Sequence, residues 1–374
     1  MVPGGPLFPS VAMTPVQHRI ESLLERLVAE GRERGVQVAA YQDGKLIVNA
    51  VAGIADATTG ARVGPGTLFP VFSVTKGMTA TLVHRLVERG LFTYETPVAE
   101  LWPEFGGQGK GGITVRQVLN HSAGVPQMPA GVGYAEVCDW DGICAAIAQL
   151  PPLWGPGTRI EYHAMTYGWI LGEVLRRADG RAFPELLRDE ICRPLGITGM
   201  FVGIPPSLEP QVARLEEPDD VVPPDEGKPT SVPHAILPLA DWMNRRDARE
   251  ACIPASNGIM TALALARHYA ALLPGGVDGI VLLPPARVRL AIEPQHPAQP
   301  VSADYPKGWG LGYQIGEPGS PMGETAAAFG HGGYGGSRGF ADISRGLAVG
   351  LTRNLFQEND GSREILDELR RGLA

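Results

Sequence analysis

Ser73-Val74-Thr75-Lys76 is the stretch on which the reading of this chain turns. It sets a serine hydroxyl three residues before a lysine. The apolar residues that follow, Val74, Met78, Leu82 and Leu86, recur every four positions. That spacing predicts a helix over residues 74–89 with one apolar stripe, ended by Gly90, where glycine favours a left-handed cap. Ser73 then takes the N-cap and Lys76 lies one turn along on the same side. The partial positive charge of a helix N-terminus opposes protonation of Lys76 and favours an oxyanion nearby. A lysine that shares its proton within reach of Ser73 Oγ is what a hydroxyl needs to become an acyl-transfer nucleophile. A serine that merely caps a helix beside a solvated lysine has the same local pattern, so the remainder of the chain has to discriminate.

Upstream, Thr14-Pro15-Val16-Gln17 reads as a capping box with proline at N1. Val16, Ile20, Leu23, Leu24 and Leu27 continue it as an amphipathic helix to about Gly31. Residues 36–42 and 45–51 are β-rich runs joined by Asp43-Gly44, a hairpin signal. Downstream, Thr114 caps a short helix ending at Asn120-His121, residues 165–178 form another before Gly180, and residues 261–273 a third before Pro274. Strand patterns return at 311–315, 326–329, 339–343 and 347–352, followed by a helix with Ile365, Leu366, Leu369 and Leu373 on one face. This order predicts an α/β (α+β) protein: a central antiparallel sheet completed by both termini and flanked by helices, with a helical domain inserted. The expected units are 12–95 plus 290–374, and 96–289. Within the second, residues 205–238 are proline-rich and acidic (Glu216, Glu217, Asp219, Asp220, Asp225, Glu226) and read as a surface insertion suited to a flap over a pocket; a disordered loop has the same composition.

A chain of 374 residues, 44% hydrophobic, buries a large core. Its net charge of −8 and the lack of a basic run argue against nucleic-acid or anionic-membrane partners. Cys138, Cys144, Cys192 and Cys252 show no metal or redox spacing and read as reduced thiols; neither metal nor cofactor is expected. Met1-Val2-Pro3-Gly4-Gly5-Pro6 lacks the basic and apolar regions of a secretion signal. No stretch reaches the roughly 18 apolar residues of a membrane span, so a cytoplasmic location is the expectation.

Two further segments fit around Ser73. In Pro156-Gly157-Thr158-Arg159-Ile160-Glu161-Tyr162-His163-Ala164, a tyrosine hydroxyl held partly ionised beside a lysine can act as a general base toward the serine. In Gly330-His331-Gly332-Gly333-Tyr334-Gly335-Gly336, between predicted strands, glycines let a substrate approach the backbone, and amides there can donate to an oxyanion.

Ser73-Val74-Thr75-Lys76, Tyr162 and His331-Gly332-Gly333, in that order, resemble the three motifs of the penicillin-recognising serine acyl-enzyme superfamily. The nearest branch is the class C β-lactamase-like esterases (family VIII carboxylesterases) and related transacylases. Segments across most of the chain carry the resemblance, among them Leu119-Asn120-His121-Ser122-Ala123-Gly124, Pro194-Leu195-Gly196 and Gly308-Trp309-Gly310-Leu311-Gly312-Tyr313. The resemblance implies a β-lactamase/transpeptidase-like fold with the site between sheet and helical domain. It implies Ser73 as nucleophile, Lys76 and Tyr162 as its proton-transfer partners, and an oxyanion held by the amides of Ser73 and Tyr334, with His331, Gly332 and Gly333 lining the substrate. Which of Lys76 and Tyr162 takes the first proton stays open, since two such groups titrate as a pair.

Departures from the motifs bear on substrate. β-Lactamases and penicillin-binding proteins usually carry Lys-Thr-Gly where this chain has His331-Gly332-Gly333, and a mostly neutral histidine is a poorer anion partner. Their second motif ends in an asparagine, here Ala164. Both changes point away from antibiotic or cell-wall chemistry and toward a carboxylesterase on small or medium acyl esters. The alternatives are a transacylase using an amine or alcohol acceptor, a β-lactamase, and an idle scaffold homologue. Gly335-Gly336-Ser337-Arg338-Gly339 matches G-x-S-x-G, but no histidine follows position 331, so Ser337 has no base of the α/β-hydrolase order.

Overall fold

The computed structural model describes residues 14–217, 230–295, 308–357 and 361–372. Residues 1–6, Asp219, Asp220, Asp225, Glu226 and Leu373 of the sequence reading lie outside them. Helix α1 (Pro15–Ala29) opens the fold, and Thr14 Oγ1 accepts from Gln17 N at 3.2 Å. The returning half of the capping box is absent. The Gln17 carboxamide instead clasps Asn49, accepting from its N–H at 2.8 Å and donating to its carbonyl at 3.2 Å. Satisfying the backbone of a neighbouring strand replaces satisfying the helix's own.

That strand belongs to the hairpin of β1 (Gly35–Gln42) and β2 (Lys45–Asp56). Asp43 (φ 47°) and Gly44 (φ 74°) both take the left-handed region that a two-residue turn requires between twisted strands. With β3 (Ala61–Arg62), β7 (Gln314–Ile315), β8 (Ala328–Gly332), β9 (Arg338–Asp342) and β10 (Leu347–Arg353), they form a seven-stranded sheet in the order β3-β2-β1-β10-β9-β8-β7. Every pairing is antiparallel, and β1 lies against β10 with Val38 opposite Leu351, so both ends of the chain complete one sheet. The strand expected over 311–315 shrinks to its last two residues, because Leu311 N–H turns aside to Ala291 O at 2.7 Å. A second antiparallel sheet, β4-β6-β5, joins β4 (Phe69–Phe72) to β5 (Met200–Val202) and β6 (Gly258–Met260).

One face of the large sheet is covered by α1 and the closing helix Ser362–Arg371, through Ile20, Leu24, Leu27, Ile365 and Leu366 against Val36, Val38 and Leu351. The helix Ala262–Ala270 packs on β1 and β10 as part of the larger core, which also holds α2 (Thr75–Glu88). The expected stripe Val74, Met78, Leu82 and Leu86 is buried, but so are Thr75, Lys76, Thr79, Thr81 and His84. α2 is thus a central helix rather than an amphipathic one. Its polar groups are tolerated because they are satisfied: Thr79 Oγ1 donates to Pro254 O at 2.6 Å, Thr81 Oγ1 meets Tyr313 Oη at 2.8 Å, and His84 Nδ1 meets Tyr94 Oη at 2.7 Å.

The described ends of the 205–238 stretch are anchored. Ala213 and Leu215 are buried, and Glu216 forms a bridge with Leu355, its N–H reaching Asn354 O at 2.8 Å.

Candidate active site

β4 ends at Phe72, a non-glycine residue at φ 46°, the strained conformation that collects at functional sites. The chain then delivers Ser73 to the wall of a cavity of about 510 Å³ and enters α2. Ser73 is not the N-cap expected from the sequence. Val74 holds that position, without a side-chain cap, and the Ser73 hydroxyl is used elsewhere: Lys76 Nζ donates to its Oγ at 3.2 Å.

Lys76 is fully buried. Besides Ser73 Oγ, its amine donates to Ala164 O at 2.7 Å and Ala255 O at 2.9 Å, and lies 4.7 Å from the centroid of the Tyr162 ring. Neutral oxygens and π faces surround it, with no ion pair to a carboxylate among the described residues. Burial therefore pushes its pKa well below the ordinary lysine value. The helix N-terminus invoked from sequence is secondary to this desolvation.

Tyr162 lines the same cavity, half-buried, in an aromatic cluster with His121 (4.9 Å between centroids), Trp309 (5.7 Å) and His331 (6.1 Å). His121 is a second strained non-glycine residue, φ 63°, at the end of the short helix Val115–Leu119. Its Nδ1 accepts from His163 N–H at 3.2 Å, which fastens the loop carrying Tyr162. The sequence marks His121 as a helix end and as part of a supporting segment, with no sign of this bond, because its structural work depends on a contact 42 residues away.

His331 sits on β8 with Nδ1 2.6 Å from Gly332 O. Burial, aided by the Lys76 charge, holds its pKa at about 3, so it is neutral at physiological pH, as the sequence reading expected. The glycines divide their tasks. Gly332 N–H donates to Gln314 Oε1 at 3.1 Å and Gly333 N–H to Ser337 O at 2.8 Å, so neither amide is available to an oxyanion. The amides of Ser73 and Tyr334 have no such backbone partner among the described residues. Gly333 is needed for closeness: a Cβ there would lie 2.1 Å from Val71 O, where the end of β8 meets β4. The Tyr334 side chain, substantially exposed, donates its hydroxyl to Glu217, whose other oxygen accepts from Ala240 N at 2.9 Å.

The cavity brings together Ser73, Tyr162, His331, Gly332, Gly333 and Tyr334, with Lys76 directly behind Ser73. Its wall adds residues to which the sequence assigned no part in the site: Trp309, Gln314, Arg338, Ser256, Val232 from within the 205–238 stretch and Leu239 just past it. Ser337 is not in the lining. It is buried, and its Oγ accepts from Arg353 N at 3.3 Å. A second cavity, about 360 Å³ beside Tyr41, Phe201 and Arg267, contains none of the expected site residues. Among the described residues no cluster suits a metal ion, and no helix is long and apolar enough to cross a membrane.

A serine and an uncompensated buried lysine one turn apart, between an antiparallel sheet and a helical layer, define a serine hydrolase of the β-lactamase/transpeptidase-like fold. The chain belongs to the Beta-lactamase family, whose model matches residues 20–372. Among curated proteins it is 34% identical to the esterase/beta-lactamase LipL of Mycobacterium tuberculosis, over 86% of this chain and 77% of that one. Among solved structures it resembles a penicillin-binding protein homologue from Caulobacter crescentus, with 35% identity, 98% and 99% coverage and a TM-score of 0.86. It also resembles a family VIII carboxylesterase, with 29% identity, 97% and 99% coverage and a TM-score of 0.85.

Proposed function

We propose that this chain is a carboxylesterase acting on small or medium acyl esters through an acyl-Ser73 intermediate. The observation that carries the reading is Lys76: fully buried, held by two carbonyls, and 3.2 Å from Ser73 Oγ. Ser73 Oγ attacks the ester carbonyl while its proton passes to the Lys76–Tyr162 pair. The carbonyl oxygen takes the negative charge, facing the amides of Ser73 and Tyr334. Collapse breaks the ester C–O bond, and the pair returns the proton to the departing alkoxide. Water then attacks acyl-Ser73, gives a proton to the same pair, and the acid leaves as Ser73 Oγ regains its hydrogen.

The same intermediate serves a transacylase if a bound amine or alcohol outcompetes water. A cavity of about 510 Å³ has space for such an acceptor beside the acyl group. The sheet-forming unit 12–95 plus 290–374 and the helical unit 96–289 are proposed as the two walls of the site. A reducing, cytoplasmic setting is proposed on four free thiols, with burial raising the pKa of each.

The test combines p-nitrophenyl butyrate turnover, a chromogenic cephalosporin, and a serine-reactive fluorophosphonate whose adduct is mapped by mass. Ester turnover with labelling at Ser73 is expected. Labelling elsewhere, or neither turnover nor labelling, refutes the reading. Hydroxylamine added to the ester assay separates the two acceptors: hydroxamate formation with faster leaving-group release supports the transacylase, and free acid alone the esterase.

A further inference from the structure

We propose that Phe356, which stands outside the cavity, is a positioning residue for catalysis: it sets the spacing of the two amides, those of Ser73 and Tyr334, that receive the oxyanion. The inference rests on the acyl-Ser73 reading and adds to it a residue that touches neither the substrate nor the reacting atoms.

The two amides belong to different sheets. Ser73 follows β4 of the three-stranded sheet and Tyr334 follows β8 of the seven-stranded one, and among the described residues no ladder of hydrogen bonds joins those two strands. Their separation is therefore held by packing. Gly333 supplies one close approach, at Val71 O. The other is a trio of rings. Phe72, immediately before Ser73, meets Tyr334 at 5.7 Å between centroids and Phe356 at 5.7 Å, while Tyr334 and Phe356 meet at 5.5 Å. Interplanar angles of 73°, 69° and 85° make each contact edge to face, the arrangement that aromatic quadrupoles favour.

Phe356 grips both chain segments. On one side it contacts Phe72, whose backbone is held at φ 46°, a conformation that persists where the surroundings enforce it. On the other, Gly335 follows Tyr334 at φ 78°, and a Cβ there would lie 2.0 Å from Phe356 Cε1, so the turn closes directly onto the ring. Phe356 is itself anchored. It is buried, its N–H reaches Glu216 O at 2.8 Å, and Arg353, three residues earlier, donates from Nη1 to Gly335 O at 3.2 Å. The far end of the Tyr334 side chain is held by Glu217. Phe356 is not among the described lining residues, so its substitution leaves the cavity's own wall in place. An amide aimed at a developing oxyanion works within narrow limits of distance, so loosening the trio weakens transition-state binding more than substrate binding.

The experiment measures kcat and KM for p-nitrophenyl butyrate and for O-p-nitrophenyl thionobutyrate, in which sulfur, a weaker acceptor, replaces the oxygen that faces the amides. Active sites are counted by fluorophosphonate titration, and melting temperature is recorded on the same preparations. Phe356→Ala should lower kcat for the ester by about tenfold or more, short of the roughly 10²–10³ lost with a whole oxyanion donor, and move KM by less than about twofold. The thionoester draws less on the amides, so its kcat should fall less and the ester-to-thionoester ratio should drop severalfold. Phe356→Leu, which restores most of the volume, should recover part of both quantities, and it carries the test if the alanine variant does not fold. Tyr334→Leu breaks the same trio, so its loss should overlap with that of Phe356→Leu, and fully additive losses overturn the proposal. An unchanged ratio in the folded Phe356 variants overturns it too, whatever happens to stability, because partial unfolding removes both activities alike. So does a raised KM at unchanged kcat, which would make Phe356 a support for the substrate-binding wall. Labelling of the unmodified protein separates the levels: labelled Ser73 with any of these outcomes defeats Phe356 alone, whereas no labelling and no turnover of any ester defeats the acyl-Ser73 reading as well.

Discussion

Replacing Lys76 by methionine tests the centre of the mechanism, because activity and stability should respond differently. Methionine keeps the length of the side chain and removes the amine. The lost interactions are those to Ser73 Oγ, Ala164 O and Ala255 O. For the reaction, removal of the first proton acceptor costs about two to four orders of magnitude, roughly 3–5 kcal/mol in the barrier. For the fold, two carbonyls lose a donor, each a net loss of about 1 kcal/mol. Against that, an amine buried without a carboxylate no longer carries its desolvation penalty, about 1.4 kcal/mol for every unit by which burial lowers its pKa. The two effects oppose each other and the melting temperature should move by only a few degrees.

The assay is kcat/KM for p-nitrophenyl butyrate, fluorophosphonate labelling rate and thermal melting, measured on the same preparations. Lys76→Arg adds a pH dimension. A guanidinium keeps its proton throughout the accessible range, so that variant should be inactive at every pH. The unmodified protein should gain activity as pH rises and reach its plateau below the ordinary lysine pKa of about 10.4, since burial depresses Lys76. Retention of a tenth or more of kcat/KM by Lys76→Met would refute the base assignment. A melting temperature lowered by more than about 10 °C would make Lys76 a structural cation.

Ser73→Ala should abolish turnover and labelling without loss of stability, since Ser73 caps no helix, whereas Ser337→Ala should keep its activity and lose about 1 kcal/mol with its bond to Arg353 N; activity lost in the second and kept in the first would reverse the assignment. Tyr162→Phe should slow acylation by about two to four orders of magnitude, and its combination with Lys76→Met should be no worse than the poorer single variant, so additive losses would show that the two do not share a proton. Acid should unfold the protein early. His84, His268 and His331 are held at about 3 and His163 at about 4 by burial, below the ordinary value near 6.5. Their folded values are depressed, so the stability of keeping them neutral is complete above about pH 6.5 and drains as pH falls toward 3. At pH 5 each costs about 2 kcal/mol, and four together approach the whole stability of a typical domain. Melting curves at pH 7.5, 6 and 5 should fall steeply, and a flat series would contradict the buried neutral histidines.

The features legible in the sequence share a property: their physics is local. Asp43-Gly44 specifies its turn through backbone conformation alone, and the spacing of Val74, Met78, Leu82 and Leu86 specifies a helix whatever packs on it. The sheet completed by both termini was legible at one remove, because strand-rich segments at both ends with helices between leave few ways to satisfy edge strands. The misread features depend on partners far along the chain. Ser73 appeared to be a cap because nothing near it in sequence announces that Ala164 and Ala255 will deliver two carbonyls to Lys76 and hold its amine against the serine. The burial of α2 on every side was hidden because Thr79, Thr81 and His84 look solvent-facing until Pro254, Tyr313 and Tyr94 arrive to satisfy them.

The same distinction explains why the glycine motif was recognised while its division of labour was not. Four neighbouring amides look equivalent in His331-Gly332-Gly333-Tyr334, and only the strand register reveals that Gln314 and Ser337 have claimed two of them. Register also carries Arg338 to the cavity: six residues beyond Gly332 in the chain, it becomes its direct neighbour once β8 and β9 pair. A motif read along the chain registers the exchange of lysine for His331 and infers that the cation has gone. The hydrogen-bonding direction of the sheet is perpendicular to the chain, and along that direction an arginine side chain joins the lining of the cavity.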